Sequence, residues 1–310
     1  MKANYRNIGL MRLCRLLGVT RQSYYQHFWN KENIQVEQEL IVKEVIKIRQ
    51  YHRHMGGRKL YEKLSPFLLE HQIKMGRDAF FDVLSSHCLL VRKKKRKIHT
   101  TQSFHWLRKY RNLIKGYLPT GSNQLWVSDI TYWKIKHDYL YISFITDAYS
   151  HKIVGYNVAS TLEAIESVSA LKMALQSHAV TTNQLIHHSD RGIQYCSEEY
   201  TRLLQENGIQ ISMTETGDPP DNALAERVNG IIKNEYLCDY KIKNLQQAKE
   251  VLAFVIELYN RHRPHMSNGN LTPDIIHNNN LKTKKLWKNY PSNKPQPVNL
   301  LQDKEIKVNS

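Results

Sequence analysis

Between residues 124 and 213 the hydrophobic period of the chain changes in a fixed order, and that order restricts the folds open to it. Residues 125–134, 139–146 and 152–158 are short runs rich in β-branched and aromatic side chains, which suit strands. Only 136–138 and 148–151 separate them, too little chain for a crossover, so an antiparallel meander is predicted. The period then becomes helical over 161–177, returns to a strand at 184–188, is helical again over 197–207 and ends in a short strand at 209–213. The fold class is therefore α/β, a mixed five-stranded sheet with helices. Asp129 lies in the middle of the first strand, where a charged side chain needs a partner or a metal ion.

Two further stretches carry acids. Residues 185–195, L-I-H-H-S-D-R-G-I-Q-Y, end an apolar run and place Asp190 at the turn beyond a strand's C-terminal end, the end at which open α/β sheets bind ligands. Residues 217–235 read G-D-P-P-D-N-A-L-A-E-R-V-N-G-I-I-K-N-E. The two prolines and the Asp-Asn pair mark a turn that opens a helix, with Pro suited to its first position and Asp or Asn to its cap. Leu224, Val228, Ile231 and Ile232 form its apolar stripe. Asn222, Glu226 and Lys233 share another face. Taken alone, that face is an ordinary solvated one. His187 and His188 precede Asp190 on a strand that reads as buried, and serve either as support or in catalysis. Asp147 ends a strand and reads as a turn residue.

The blocks W-V-S-D-I-T-Y, H-H-S-D-R-G-I-Q-Y and D-N-A-L-A-E, in this order, resemble the DDE transposases of bacterial insertion sequences. The resemblance runs from about residue 40 to 277. Within that family the chain looks like the second-frame product of elements whose transposase is encoded in two overlapping frames. The resemblance implies an RNase H-like integrase core with Asp129, Asp190 and Glu226 as catalytic, metal-binding acids. It also implies two Mg²⁺ ions, for which Mn²⁺ substitutes, with Asp129 bridging them. The implied activity is cleavage at the element's ends followed by 3′-OH strand transfer into target DNA, with no covalent enzyme–DNA intermediate. Asn222 and Lys233 would position the scissile strand. The implied partners are double-stranded DNA, as element ends and target, further copies of the chain on that DNA, and a first-frame partner or fused upstream segment. The expected location is the cytoplasm, on the nucleoid. The alternative is a DNA-binding protein with an inactive integrase-like core. A missing acid would mark it, and all three are present. The chain departs from the family in having His151 where Arg is frequent and Thr214 where Ser is.

Charge supports a polyanionic partner. The formal net charge is +17, and residues 1–120 hold 25 Lys and Arg against 8 Asp and Glu, while the remainder holds 20 of each. Residues 1–30 have the rhythm of a helix-turn-helix, with Gly18 turning the chain and Thr20 capping a helix that presents Arg21 and Gln22. An ordinary helical hairpin fits the same pattern. Residues 31–97 read as a basic helical DNA-binding domain: an amphipathic helix at 34–51, then a further helical pair that resembles the family's second helix-turn-helix. It ends in Arg92, Lys93, Lys94, Lys95, Arg96 and Lys97, either a phosphate-contacting run or a solvated one. Residues 98–120 are predicted to be a linker anchored by Phe104, Trp106, Tyr110 and Tyr117, residues 121–277 the catalytic core, and 278–310 a flexible tail. After a strongly apolar helix at 245–260, Arg261 and Arg263 either touch DNA or pack against the core. Cys14, Cys88, Cys196 and Cys238 are scattered without a C-x-x-C pair, which argues against a zinc knuckle and a disulfide framework. His52 and His54 are correspondingly read as surface or core histidines. No apolar run approaches a membrane span.

Overall fold

The computed structural model describes residues 9–91, 106–135, 138–177, 185–215 and 222–283. The basic run from Arg92 to Lys97, Phe104 and the two prolines before the Glu226 helix lie outside the described residues, as does the tail beyond 283.

Helices α1 (Leu10–Leu16) and α2 (Arg21–Tyr51) meet at a turn in which Gly18 adopts φ 67°. Thr20 accepts a hydrogen bond from the Ser23 amide at 3.0 Å, a side-chain cap of the kind its position predicts. The helix expected at 34–51 is not separate. It is the second part of the continuous 31-residue α2, because no Gly or Pro between residues 22 and 51 interrupts the backbone. With α3 (Gly57–Glu70) and α4 (Arg77–Ser86), α2 closes a small core of Ile41, Val45, Leu60, Leu64, Phe80 and Leu84.

The sheet comprises β1 (Leu125–Lys134), β2 (Tyr139–Asp147), β3 (Ile153–Ala159), β4 (Ile186–Ser189) and β5 (Gln210–Met213). Its order is β3-β2-β1-β4-β5. The first three strands pair antiparallel, whereas β4 lies parallel to both β1 and β5. This is the strand order of an RNase H-like fold. The parallel strands are reached through α5 (Ala164–Gln176) and then α6 (Ile193–Cys196) and α7 (Glu198–Glu206). After β5 come α8 (Ala223–Ile231), a π-helical turn (Ile232–Tyr236), a 3₁₀ turn (Leu237–Asp239), α9 (Leu245–His262) and α10 (Pro273–Asn279).

Alternation along the strands divides the core between the two faces of the sheet. Trp126 and Ile145 pack with Val168, Leu171 and Tyr200 of α5 and α7. Trp133, Ile142 and Phe144 pack with Val228, Ile232, Leu252 and Val255 of α8, the π turn and α9. Gly155 on β3 permits the close approach of α5, because a Cβ there would lie 2.3 Å from the Ala170 carbonyl oxygen. On the same edge strand, Asn260 of α9 accepts from the Ile153 amide and donates to its carbonyl, each at 3.0 Å.

The segment predicted to be a linker is docked over its described part. The Arg111 carbonyl accepts from the Met213 amide at 3.3 Å, and the Leu113 amide donates to Ser212 Oγ at 2.9 Å, so this stretch runs beside β5. Tyr110 packs on the core as expected, but Trp106 does not serve as an anchor, being 91% exposed. Among the described residues no helix is long and apolar enough to cross a membrane.

Candidate active site

Parallel pairing of β1 with β4 sets Trp126 opposite His187 and Val127 opposite His188. Two residues further along each chain stand Asp129 and Asp190, beyond the last ladder pair, on the face that also carries Val127 and Ile186. Both are partly buried. Asp190 Oδ1 accepts from the Gly192 amide at 2.9 Å, and a Cβ at residue 192 would come equally close to that oxygen, so glycine leaves the carboxylate its room. Asp129 Oδ1 accepts from the Ile130 amide at 2.9 Å.

The third acid arrives on α8. Ala225 and Val228 seat this helix on the sheet, Ala225 against Leu125, Val127 and Ile186. Glu226 stays exposed in its first turn. The tie between helix and strand is Asn229, whose Nδ2 donates to Asp129 Oδ2 at 2.7 Å. Asn229 is buried, and among the described residues its Oδ1 has no hydrogen-bond partner. Sequence reasoning passed it over, although it lies three residues after Glu226 and four before Lys233, on the face that those two define. Asn222 differs from expectation. It does not cap α8 with its side chain. It is buried and donates from Nδ2 to the Ser128 carbonyl at 3.1 Å, so it holds the helix to β1 and is poorly placed to meet a DNA strand. Lys233 is half-buried on the π-helical turn, where burial lowers its pKa and the Asp129 charge opposes that effect. Such turns recur at functional sites because they re-aim the side chains that follow.

The electrostatics follow from placing like charges together. Burial, then the neighbouring Asp190 charge, push the Asp129 carboxyl up to about 7. The Glu226 charge acts in the same direction, and the hydrogen bonds from Ile130 and Asn229 oppose it. Three acids from two strands and a helix thus share one electrostatic environment, although they do not close to the 4.8 Å within which three donors surround a single ion. An open set of hard oxygen donors with one carboxyl destabilised by its neighbours fits divalent cations such as Mg²⁺, which keep several waters and suit two-ion sites.

The other candidates fall outside this cluster. His187 is fully buried between Ser128 Oγ at 2.7 Å and Tyr200 OH at 2.9 Å, and burial pushes its pKa down to about 3. His188 Nδ1 meets Ser212 Oγ at 2.8 Å. Both histidines support the sheet. Asp147 is buried at its turn, bound by the Asn123 and Ser150 amides at 2.7 Å each. Of the two arginines after α9, Arg263 is 1% exposed and forms a bidentate pair with Glu235 at 2.8 Å per contact, so packing is its role. Arg261 is exposed and pairs with Glu257. Arg21 and Gln22 are exposed at the start of α2.

Two family models, each described as an integrase core domain, match residues 119–219 and 207–273. The chain is 34% identical over 265 residues to the insertion element IS600 uncharacterized 31 kDa protein of Shigella sonnei, covering 84% of this chain and 96% of that one. It is 29% identical over 263 residues to the transposase for insertion sequence element IS629 of Shigella sonnei, covering 82% and 86%. Among solved structures, the HTLV-2 integrase catalytic core domain in complex with magnesium superposes with a TM-score of 0.40 at 24% identity, over 54% of this chain and 99% of that chain. On its sequence relatives and its strand order, the chain belongs to the DDE transposases of bacterial insertion sequences, polynucleotidyl transferases that cleave DNA and join its strands.

Proposed function

We propose that Asp129, Asp190 and Glu226 are the acids with which this transposase binds two divalent ions, Mg²⁺ or in its place Mn²⁺, to cut the ends of its element and join them to target DNA. The observation that supports this reading is that Asp129 and Asp190 each follow the last β1–β4 pair, Val127 with His188, by two residues and that the Asp190 charge acts on Asp129, with the Glu226 helix tied to Asp129 through Asn229. When bound, such ions stabilise the attacking and leaving oxygens of an in-line phosphoryl transfer. The chain's own work is positional. The sheet fixes the two aspartates, Asn229 holds Asp129 in one rotamer, and Asn222 fixes the start of α8 and so the reach of Glu226. Lys233, beside Asp129 and cationic, contacts the phosphate next to the scissile bond.

Arg21 and Gln22 read the element's ends from the first turn of α2, and Arg92, Lys93, Lys94, Lys95, Arg96 and Lys97 add phosphate contacts. The excess of positive charge in residues 1–120 supports this division of labour. The working form is a homo-oligomer on double-stranded DNA in the nucleoid, with a first-frame partner or fused segment upstream.

The test is strand cleavage and joining on DNA that carries the element's ends, alongside a gel-shift assay. Alanine at Asp129, Asp190 or Glu226 abolishes both reactions and leaves DNA binding intact. Joining at the wild-type rate by any of the three variants overturns the assignment.

A further inference from the structure

We infer that His54, Cys238 and Asp239 form a second metal site, for Zn²⁺ or a cation of similar softness, at the junction between the N-terminal helices and the catalytic core. This inference stands apart from the acidic cluster and does not depend on its assignment.

The three residues come from distant parts of the chain. His54 lies in the turn between α2 and α3, while Cys238 and Asp239 end the 3₁₀ turn that follows the π-helical turn. Their ligand atoms nevertheless all lie within 4.8 Å of one another, the sole trio of His, Cys, Asp or Glu among the described residues to do so. Asp239 joins the set, with Oδ2 at 2.5 Å from His54 Nε2 and Oδ1 at 3.6 Å from Cys238 Sγ. Cys238 Sγ is also 3.2 Å from the Asn234 carbonyl.

These are contacts made by protons in the places a metal takes. A tetrahedral zinc site with ligand bonds of about 2.0–2.3 Å has ligand atoms about 3.5 Å apart. The contact of His54 Nε2 with Asp239 Oδ2 therefore opens by about 1 Å on loading; the 3.6 Å spacing from Cys238 Sγ is to the other oxygen, Oδ1, so the carboxylate turns to offer one oxygen to the ion. A thiolate, an imidazole and a carboxylate form a borderline-soft set that selects zinc over Mg²⁺, which prefers oxygen donors throughout. Metal uptake displaces the thiol proton and the proton shared by His54 and Asp239.

Neighbouring contacts hold the two segments in place before any ion arrives. His52 Nδ1 meets Tyr236 OH at 3.0 Å, Lys59 Nζ lies 3.5 Å from Glu235 Oε1, and the Arg53 guanidinium sits 5.8 Å from the centre of the Tyr240 ring. The site is partly exposed, so water completes the coordination. Its effect is to fasten the end of α2 to the segment that leaves the Glu226 helix.

The experiment uses the full chain, stripped of metal and titrated with zinc against a chromophoric chelator in excess Mg²⁺. One equivalent of zinc is expected to bind. Cys238→Ser and His54→Ala are expected to weaken binding by at least about 100-fold, while Asp129→Ala retains it. Cobalt substitution of the wild-type chain, which needs no variant to fold, is expected to show a thiolate-to-cobalt charge-transfer band in the near ultraviolet. Failure of the wild-type chain to take up zinc, a cobalt spectrum without that band, loss of uptake in Asp129→Ala, or equal uptake by Cys238→Ser would each overturn the inference.

Discussion

Asn229 Nδ2 donates to Asp129 Oδ2 at 2.7 Å, joining the helix that carries Glu226 to the strand that carries the first acid across one hundred residues of chain. On the proposed assignment, one amide thereby sets the position of one acid and of the helix that carries another. Asn229→Ala removes the bond and frees the Asp129 rotamer. The expected outcome is about a 10-fold or greater fall in the rate of strand joining, from the roughly 1.5–3 kcal/mol that a hydrogen bond to a charged group contributes. DNA affinity in a gel-shift assay should be unchanged. Single-turnover kinetics on pre-cut ends measure the effect.

The raised pKa of Asp129 is a stability statement as well as a chemical one. Its folded value of about 7 lies above that of an unfolded Asp, so the metal-free native state holds an extra proton between about pH 4 and 7 and loses stability as pH rises through that window. Asp129→Asn removes the penalty. Without divalent ions the variant should be about 1–3 kcal/mol more stable than the wild type above pH 7, with the gain vanishing toward pH 4. Denaturant melts at several pH values check this. A variant less stable than the wild type at pH 8 would contradict the like-charge account.

Glu235 and Arg263 form a largely buried ion pair. Lys59 adds a contact to Glu235 at 3.5 Å and His265 Nε2 one to the Arg263 guanidinium at 2.9 Å. Burial works against the Glu235 charge, but the Arg263 bonds outweigh it and hold the carboxyl below its usual range. Glu235→Gln leaves a buried guanidinium without its counter-charge and should cost about 3–5 kcal/mol. Glu235→Gln combined with Arg263→Met should recover part of that loss. Equilibrium unfolding of the single and double variants gives the coupling.

His52 provides the pH dependence of the same junction. Burial, followed by the charge of Lys63, lowers its pKa to about 4, below the unfolded value near 6.5. The unfolded chain therefore binds more protons between those values, and stability falls as pH drops from about 6.5 to 4, by up to about 3 kcal/mol. His52→Gln, which can still meet Tyr236 OH, should flatten the profile in that window. Thermal midpoints of both proteins from pH 7 to 4 measure the difference.

Much of this molecule can be read without coordinates. Strand and helix periods between 125 and 213 were sufficient for five strands in order, because alternation and turn length are local properties. The blocks around Asp129, Asp190 and Glu226 were sufficient for the family. What stayed hidden depends on partners distant in the chain. Asn222 has the composition of a cap, yet spends its amide on Ser128. Arg263 resembles a DNA contact, yet is buried and paired with the partly buried Glu235. Trp106 resembles an anchor and lies in solvent, and the stretch read as a linker runs beside β5 instead.

The sequence by itself determined the order of elements, the family and the uneven distribution of charge, since each is carried by neighbouring residues or by simple counting. Tertiary structure alone decided which side chains meet: that the Asp190 charge acts on Asp129, that Asn229 ties Asp129 to the Glu226 helix, and that His54 lies against Cys238 and Asp239. The physical reason is range. Backbone preference and hydrophobic period act over a few residues, whereas hydrogen bonds, desolvation and metal coordination act over a few ångströms, and only the packed chain relates one to the other.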